Sequence, residues 1–85
     1  MAKKIRAYVL INLAIGAGLD VINKLKEIPH VISIASTTGI FDVIVKIQVN
    51  EVEEFEEVIT KRIHSIPGIV KTDTQVVINE IEAEA

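Results

Sequence analysis

The chain has 85 residues, a formal net charge of −3 and no cysteine, and 49% of its residues are hydrophobic. This length suits one domain, and the lack of cysteine excludes disulfides, thiolate catalysis and cysteine-ligated metal ions. The basic residues are scattered along an acidic chain, so direct binding to DNA or RNA is not expected. The apolar share exceeds what one small core requires. We therefore expect part of the apolar surface to contact another subunit.

An internal repeat with an offset of 38 residues divides the chain into two halves. The stretch Ile28-Pro29-His30-Val31 resembles Ile66-Pro67-Gly68-Ile69. The same offset superimposes Ile5, Ala7, Val9 and Ile11 on Val43, Val45, Ile47 and Val49, and it superimposes Val21, Leu25 and Ile28 on Ile59, Ile63 and Ile66. An ordered series of such matches predicts a structural duplication.

The first half predicts a strand, a helix and a second strand. We place the first strand at residues 5–13 and the helix at residues 17–27, where apolar side chains recur at helical spacing. Pro29 ends the helix, and the second strand follows at residues 31–37. The predicted apolar stripe of the helix consists of Leu19, Val21, Ile22 and Leu25.

The second half repeats this order. We place a strand at residues 42–49, a helix at residues 51–65 and the last strand at residues 69–81. Asn50 is a suitable N-cap, and Glu53 three residues later completes an approximate capping box. The predicted buried stripe of this helix consists of Val52, Phe55, Val58, Ile59 and Ile63.

Two βαβ halves in one sheet predict an α+β fold of the ferredoxin-like, split βαβ type, with the order βαββαβ. Its four strands form an antiparallel sheet, and right-handed crossovers place both helices on one face. The opposite face is then left open. Strand alternation places Tyr8, Leu10 and Ile44 on it, and we expect Val77 and Ile81 to join them. An exposed apolar patch marks an interface, so we expect a dimer that packs sheet against sheet.

The connection at residues 37–42 is the most informative loop. Gly39 permits a positive φ angle, and an exposed loop offers backbone N–H groups to an anion. Asp42 supplies a carboxylate beside it, which suits an ammonium group. Together they can hold both ends of a free amino acid. The alternative is that Asp42 caps loop amides and the loop is an ordinary turn.

No constellation of catalytic residues is recognisable. His30 and His64 lack metal-ligating neighbours at the usual spacings, and the serines have no His and Asp arrangement that the sequence supports. We therefore expect neither enzymatic activity nor a metal ion or other cofactor. The apolar stretch at residues 9–15 is interrupted by Asn12 and reads as a buried strand, so we expect no membrane contact and a cytoplasmic location.

Two segments resemble a known family. Thr38-Gly39-Ile40-Phe41-Asp42-Val43-Ile44-Val45 resembles the Gly-x-x-Asp segment of the effector-binding (RAM) domain of Lrp/AsnC transcription regulators. Ile66-Pro67-Gly68-Ile69-Val70-Lys71-Thr72-Asp73-Thr74 resembles the Pro-Gly-Val and Thr-x-Thr stretch of the same domain. The resemblance covers essentially the whole chain, and the spacing between the two segments also agrees.

The resemblance implies a stand-alone effector-binding domain at residues 1–85, without a helix-turn-helix. It implies dimers that assemble into rings and a free amino acid bound between dimers. Full-length Lrp/AsnC regulators are the implied partners, which would supply the DNA contact. Tyr is common in the family where Phe41 stands, so the resemblance implies that a hydroxyl contact is missing here. The implied ligand-binding residues are Thr38, Gly39 and Asp42 in the loop, with Thr72 and Thr74 facing them from a neighbouring subunit.

Two other classes share this topology. An ACT-like regulatory domain places its ligand at the turn between the first strand and the first helix, here residues 16–20. A ligand near Asp42 rather than near Gly18 distinguishes the two. An enzyme of the acylphosphatase kind requires an arginine in a phosphate loop after the first strand, and residues 13–19 contain none.

Overall fold

The four strands form one antiparallel sheet in the order β2-β3-β1-β4. The structure is a computed structural model that describes residues 4–83. Its elements in chain order are β1 (Ile5–Leu13), α1 (Gly18–Lys26), β2 (Val31–Ser36), β3 (Val43–Val49), α2 (Glu56–Ile63) and β4 (Ile69–Val76). Each βαβ half contributes one central and one edge strand, which confirms the predicted split βαβ fold.

The two central strands pair through the residues that the repeat superimposes. Val9 lies opposite Val45, and Ile11 lies opposite Val43. Because partners in an antiparallel pair point to the same side, the two apolar series meet on one face. There Ala7, Val9, Ile11, Val43, Val45, Ile47 and Val49 are buried.

Both helices cover this apolar face. The residues within and just after the two helices that the repeat superimposes are all buried in one core cluster with the strand residues, namely Val21, Leu25, Ile28, Ile59, Ile63 and Ile66. Phe55 and Val58 complete it. The predicted structural duplication is therefore confirmed at the level of the core.

The first residue of each predicted helical stripe is exposed, so the prediction that it is buried is wrong. Leu19 is 73% exposed and Val52 is 63% exposed; Leu19 lies in the first turn of α1, and Val52 lies in the turn before α2. Ile22 is half-buried. The helix at residues 17–27 is otherwise confirmed to within one residue at each end.

Helix α2 begins later than predicted and is a π-helix. Residues 51–53 form a tight turn, which Glu54 N–H closes by donating to the Glu51 carbonyl at 3.0 Å, and residues 54 and 55 are helical and lead into α2. Within α2 the hydrogen bonds span five residues, as in the 2.9 Å bond from His64 N–H to the Ile59 carbonyl. The predicted capping box is absent from the helix start, where no side chain caps. Asn50 instead accepts a hydrogen bond from Lys4 Nζ at 2.6 Å. Within α2, Lys61 Nζ lies 3.5 Å from Glu57 Oε2, an ion pair at i,i+4 spacing.

Strand β4 also ends earlier than predicted, at Val76. Residues 77–83, which we call the C-terminal segment, follow without strand pairing beyond one hydrogen bond from Val77 N–H to the Arg6 carbonyl at 2.8 Å. Ile81 is 81% exposed, so its predicted place on the sheet is wrong. The open face carries half-buried Tyr8, Leu10 and Ile44, as predicted, but it is mixed rather than apolar, because Arg6, Lys46 and Gln48 lie among them.

Gly68 joins the two halves of the fold at close range. Its φ angle is +101°, and a Cβ atom built there would lie 2.6 Å from Ala17 Cβ and 3.1 Å from Val21 Cγ2. Its carbonyl accepts a hydrogen bond from Ala14 N–H at 2.8 Å. The turn before β4 is thus packed directly against the start of α1, and this position requires glycine.

We predict that Gly68→Ala destabilises the fold. A non-glycine residue in this backbone conformation costs about 1–3 kcal/mol, and the clash with Ala17 adds to it. The matched control is Gly39→Ala, since a Cβ at Gly39 meets nothing within 4 Å. Urea denaturation should show a lower free energy of unfolding for Gly68→Ala and little change for Gly39→Ala. Equal stability of the two variants would contradict the close packing at Gly68.

Candidate ligand site and open-face cluster

The loop between β2 and β3 is closed at its base and exposed at its tip. Thr37 N–H donates to the Asp42 carbonyl at 2.9 Å, and the Thr37 hydroxyl donates to the Phe41 carbonyl. Thr38 and Gly39 are exposed, and Ile40 is 89% exposed. The loop therefore presents a short stretch of backbone to solvent on a fixed base.

Asp42 fastens this loop to the end of β1. Leu13 N–H donates to Asp42 Oδ2 at 2.8 Å, and Asp42 N–H donates to the Ile11 carbonyl at 2.9 Å. Asp42 therefore caps a backbone amide, but the amide belongs to β1 rather than to the loop. The bond uses one oxygen of an exposed carboxylate, and a carboxylate accepts several hydrogen bonds.

Gly39 does not have the positive φ angle that glycine permits and that the sequence led us to consider. Among the described residues, the glycines with positive φ are Gly16 and Gly68. The turn is held by Thr37 and Asp42, so its backbone does not require the left-handed region. What glycine provides at this position is open space, because no atom lies within 4 Å of a Cβ built there.

Thr72 and Thr74 lie on β4 and face the helical side of the sheet. Thr72 is half-buried opposite Ile11, and Thr74 is exposed opposite Val9. His64 Nε2, at the end of α2, lies 2.6 Å from Thr72 Oγ1. Sequence reasoning missed this contact. The signal that points to Thr72 is the repeat itself, because its equivalent in the first half is the apolar Ile34.

A single chain does not bring the two parts of the predicted site together. Strand β1 lies between them, with Val43 on one side of Ile11 and Thr72 on the other. Two interstrand spacings separate those backbones by roughly 10 Å. Among residues 4–83, no hydrogen bond joins residues 38–42 to either threonine.

The alternative turn at residues 16–20 is packed rather than open at its centre. Gly16 has a φ angle of +82°, and Ala17 N–H donates to the Ala14 carbonyl at 3.1 Å. Ala17 is also the residue against which Gly68 packs. This turn therefore has a structural task in joining the two halves of the fold.

A second polar centre lies on the open face of the sheet. Glu80, in the C-terminal segment, lies 3.0 Å from Arg6 Nη1 and 2.8 Å from Lys46 Nζ. The Tyr8 hydroxyl donates to the same carboxylate. We call Arg6, Tyr8 and Lys46 the donor site. Lys46 lies opposite Tyr8 in the β1–β3 register, and its ammonium is 5.4 Å from the centre of the Tyr8 ring, within cation–π range.

These contacts change the protonation behaviour of Glu80. Hydrogen bonds from Lys46, Tyr8 and Arg6, in that order of importance, lower the pKa of Glu80 from 4.5 to about 2. The hydrogen bond to Glu80 raises the pKa of Lys46. Because the pKa of Glu80 is lower in the folded chain than in the unfolded one, the contact contributes stability above about pH 4.5 and loses it as the pH falls through about 2.

Sequence reasoning missed this cluster, because Glu80 was placed inside a continuous last strand. A usable signal was present in the alternation of the two central strands. It places Arg6 and Lys46 on the same face in neighbouring register positions, where like charges repel and a nearby anion is favourable. Which acidic residue supplies it depends on where β4 ends, and local sequence does not determine that.

The remaining polar groups do not form a metal centre. Within residues 4–83, no three His, Asp or Glu side chains lie close enough together to hold a metal ion. No helix in this part of the chain is long and apolar enough to span a membrane. His30 Nε2 lies 3.4 Å from Glu54 Oε2, an ion pair when the imidazole is protonated.

Comparisons with known proteins agree with the fold. Residues 6–85 match the family described as the Lrp/AsnC ligand binding domain. The HTH-type transcriptional regulator FL11 of Pyrococcus horikoshii is 32% identical over 72 residues, which are 85% of this chain and 47% of that regulator. The chain thus spans about half the length of the curated relatives it matches.

Solved structures share the same architecture. The protein TTHA0845 of Thermus thermophilus is 28% identical, with a TM-score of 0.86 that covers 93% of this chain and 99% of that one. The transcriptional regulator NMB0573 of Neisseria meningitidis, solved as a complex with L-Met, has a TM-score of 0.85 over 93% of this chain and 53% of its own. At 18% identity, that second likeness shows the fold alone.

The fold and the family match define the class of this protein: it is a ligand-binding domain related to transcription regulators. The chain belongs to the Lrp/AsnC family, whose model it matches from residue 6 to residue 85. The resemblance inferred from the loop and from the Pro-Gly and Thr-x-Thr segments is thereby confirmed.

We predict that the low pKa of Glu80 depends on the donor site. Carbon-detected NMR titration of the Glu80 carboxyl group should give a pKa near 2 in the parent protein and a value closer to 4.5 in Lys46→Met, which removes the most important donor. Lys24→Met, which removes an exposed lysine of α1, should leave the pKa of Glu80 near 2. An ordinary pKa for Glu80 in the parent would contradict the contact.

Proposed function

We propose that this chain is an amino-acid-sensing module that forms dimers and larger oligomers and acts on transcription through full-length Lrp/AsnC regulators. It would serve as a single, non-catalytic domain in the cytoplasm. The observation that carries the proposal is the loop of residues 38–42, whose exposed backbone stands on a base that Asp42 fastens to β1. Family membership supports a regulatory task.

The loop has the chemistry that a free amino acid requires. The ligand carboxylate needs N–H donors, which the exposed backbone around Gly39 offers, and the open space beside Gly39 allows close approach. The ligand ammonium needs an acceptor, and Asp42 is the acidic residue of this loop. That the same fold holds L-Met in the Neisseria regulator is compatible with this ligand class.

The second part of the proposed site comes from a neighbouring copy. Thr72 and Thr74 lie across β1 from the loop of the same chain, so they reach a ligand at the loop only from another subunit. On this proposal, ligand binding and assembly depend on each other. Thr72 already contacts His64, which orients its hydroxyl.

The chain itself is poorly suited to contact DNA. Its net charge is −3, and its cations are either dispersed or, like Arg6 and Lys46, paired with Glu80. A regulatory effect would therefore require a partner that binds DNA. Full-length members of the same family are suitable partners, because they carry an equivalent ligand-binding domain with which this chain can assemble.

We predict that Asp42→Asn weakens amino-acid binding without unfolding the protein. A hydrogen bond to a charged group contributes about 1.5–3 kcal/mol, so the loss of charge should lower affinity about ten- to a hundredfold. The asparagine carbonyl can still accept the hydrogen bond from Leu13 N–H. Thermal-shift screening against free amino acids, followed by titration calorimetry, should show lost affinity with a melting temperature close to the parent value.

Two further variants make this test specific. Asp42→Ala also removes the acceptor for Leu13 and should cost about 1 kcal/mol of stability. Asp20→Asn removes an exposed carboxylate from the alternative turn at residues 16–20. If Asp20→Asn lowers affinity while Asp42→Asn binds every ligand as the parent does, the site lies at that turn and the present assignment is wrong.

We predict that Ile44→Lys weakens the dimer. Ile44 is half-buried on the open face opposite Leu10, and an unpaired charge buried at an interface costs about 3 kcal/mol or more, which is at least about a hundredfold in affinity. Leu19→Lys is the matched control, because Leu19 is exposed on the helical side. Sedimentation velocity at micromolar concentration should find a dimer for the control, and a parent protein that is itself a folded monomer would refute the proposed assembly.

A further inference from the structure

We propose that in the dimer the Glu80 carboxylate of each copy occupies the donor site of the other copy, so that the two C-terminal segments are exchanged. This inference rests on the dimer of the proposed function and specifies side chains that hold it together. The donor site is then a carboxylate-binding site on the open face, completed by a residue from the partner copy.

The donor site requires an anion whenever the open face is covered. Arg6 and Lys46 come from neighbouring strands and converge with the Tyr8 hydroxyl on one point. When a second sheet approaches, these cations lose water, and burial of an uncompensated charge is strongly unfavourable. A carboxylate at this point is therefore a condition for the sheet-to-sheet dimer, whichever copy supplies it.

The C-terminal segment is held to its own sheet by few bonds. Val77 N–H donates to the Arg6 carbonyl. Beyond it, within the described residues 78–83, the hydrogen bonds are those that the Glu80 side chain accepts. On this proposal, a change of chain direction at residues 78 and 79 places the same carboxylate in the donor site of a second copy, while the hydrogen bond of Val77 is kept. Exchange of an identical element between protomers is a low-cost route to a dimer.

The exchange adds contacts that a single chain cannot make. Ile78 is fully exposed and Ile81 is 81% exposed, and they flank Glu80. Exposed large apolar side chains at this density are typical of an interaction surface. In the exchanged arrangement they reach the other copy, where removal of apolar surface from water is favourable. Exchange keeps the polar contacts of Glu80 and, relative to the single chain, adds the burial of Ile78 and Ile81.

Charge reversal in mixtures tests this arrangement. Glu80→Lys places a cation against Arg6 and Lys46, and Lys46→Glu places a second carboxylate against Glu80. For each variant alone, sedimentation velocity should show dimer association weakened by about tenfold or more, which corresponds to about 1.4 kcal/mol.

An equimolar mixture of the two variants, refolded together, should form dimers again. The unchanged Glu80 of one copy then meets the unchanged donor site of the other copy. The two substituted side chains, a lysine at position 80 and a glutamate at position 46, meet as an ion pair of reversed sign. A mass tag on one variant identifies these dimers as mixed.

The outcomes separate the possibilities. If the mixture stays monomeric while a chain carrying both substitutions dimerises, the contact is made within one chain and the inference is wrong. If both single variants dimerise as the parent does, the contact contributes nothing and the inference is again wrong. A parent that is monomeric at micromolar concentration shows instead that the proposed dimer has failed, before any variant is considered.

Two controls complete the experiment. Glu82→Lys makes the same charge change in the same segment at an exposed residue, and it should leave the dimer intact. Circular dichroism reports whether each variant is folded. If Lys46→Glu does not fold even in the mixture, Arg6→Glu provides a second partner for Glu80→Lys, and recovery of dimers in that mixture is the supporting result.

Discussion

The register between β1 and β3 determines what each face of the sheet can do. With Val9 opposite Val45, the apolar series of both strands meets under the helices, and Arg6, Tyr8 and Lys46 meet on the other side. A slip of one residue would turn every side chain of one strand to the opposite face. It would then place charged groups in the core and isoleucine and valine in the solvent. The dry core and the polar cluster are therefore two consequences of one pairing.

The same register explains why the fold was predictable. The repeat appears in the sequence as two apolar series with a constant offset, and these are the residues that pair and become buried. Gly68 is another local consequence, since a glycine after a proline ends the helix and also permits close packing against Ala17. The sequence-based predictions that failed concern features that depend on contacts between residues far apart in the chain. Asn50 is held by Lys4, 46 residues earlier in the chain, so its local capping signal did not decide where α2 begins.

The two candidate surfaces differ in the same way, because local sequence indicates the loop of residues 38–42 whereas distant contacts form the cluster around Glu80. The loop of residues 38–42 was recognisable because glycine, aspartate and a chain reversal lie together in sequence. The task of Asp42 was only half recognisable, since the amide that it caps belongs to Leu13 on another strand. Glu80 was not recognised at all, because its role depends on the end of β4 and on two cations that are far away in sequence. Local pattern thus indicated the residues of a proposed loop site, whereas the cluster assembled from three segments required the structure.

Strand β1 connects the two surfaces physically. Its last residue donates to Asp42 beneath the loop, and its first half carries Arg6 and Tyr8 of the donor site. It lies between β3 and β4, and its Ala7, Val9 and Ile11 are fully buried under the helices, so a displacement at one end is resisted by close packing. If a ligand at the loop draws in threonines from another subunit, its binding free energy includes that of assembly. By thermodynamic linkage, assembly must then strengthen ligand binding by the same factor. On the proposed function, a change in how the copies associate is therefore the signal that ligand binding at the loop transmits.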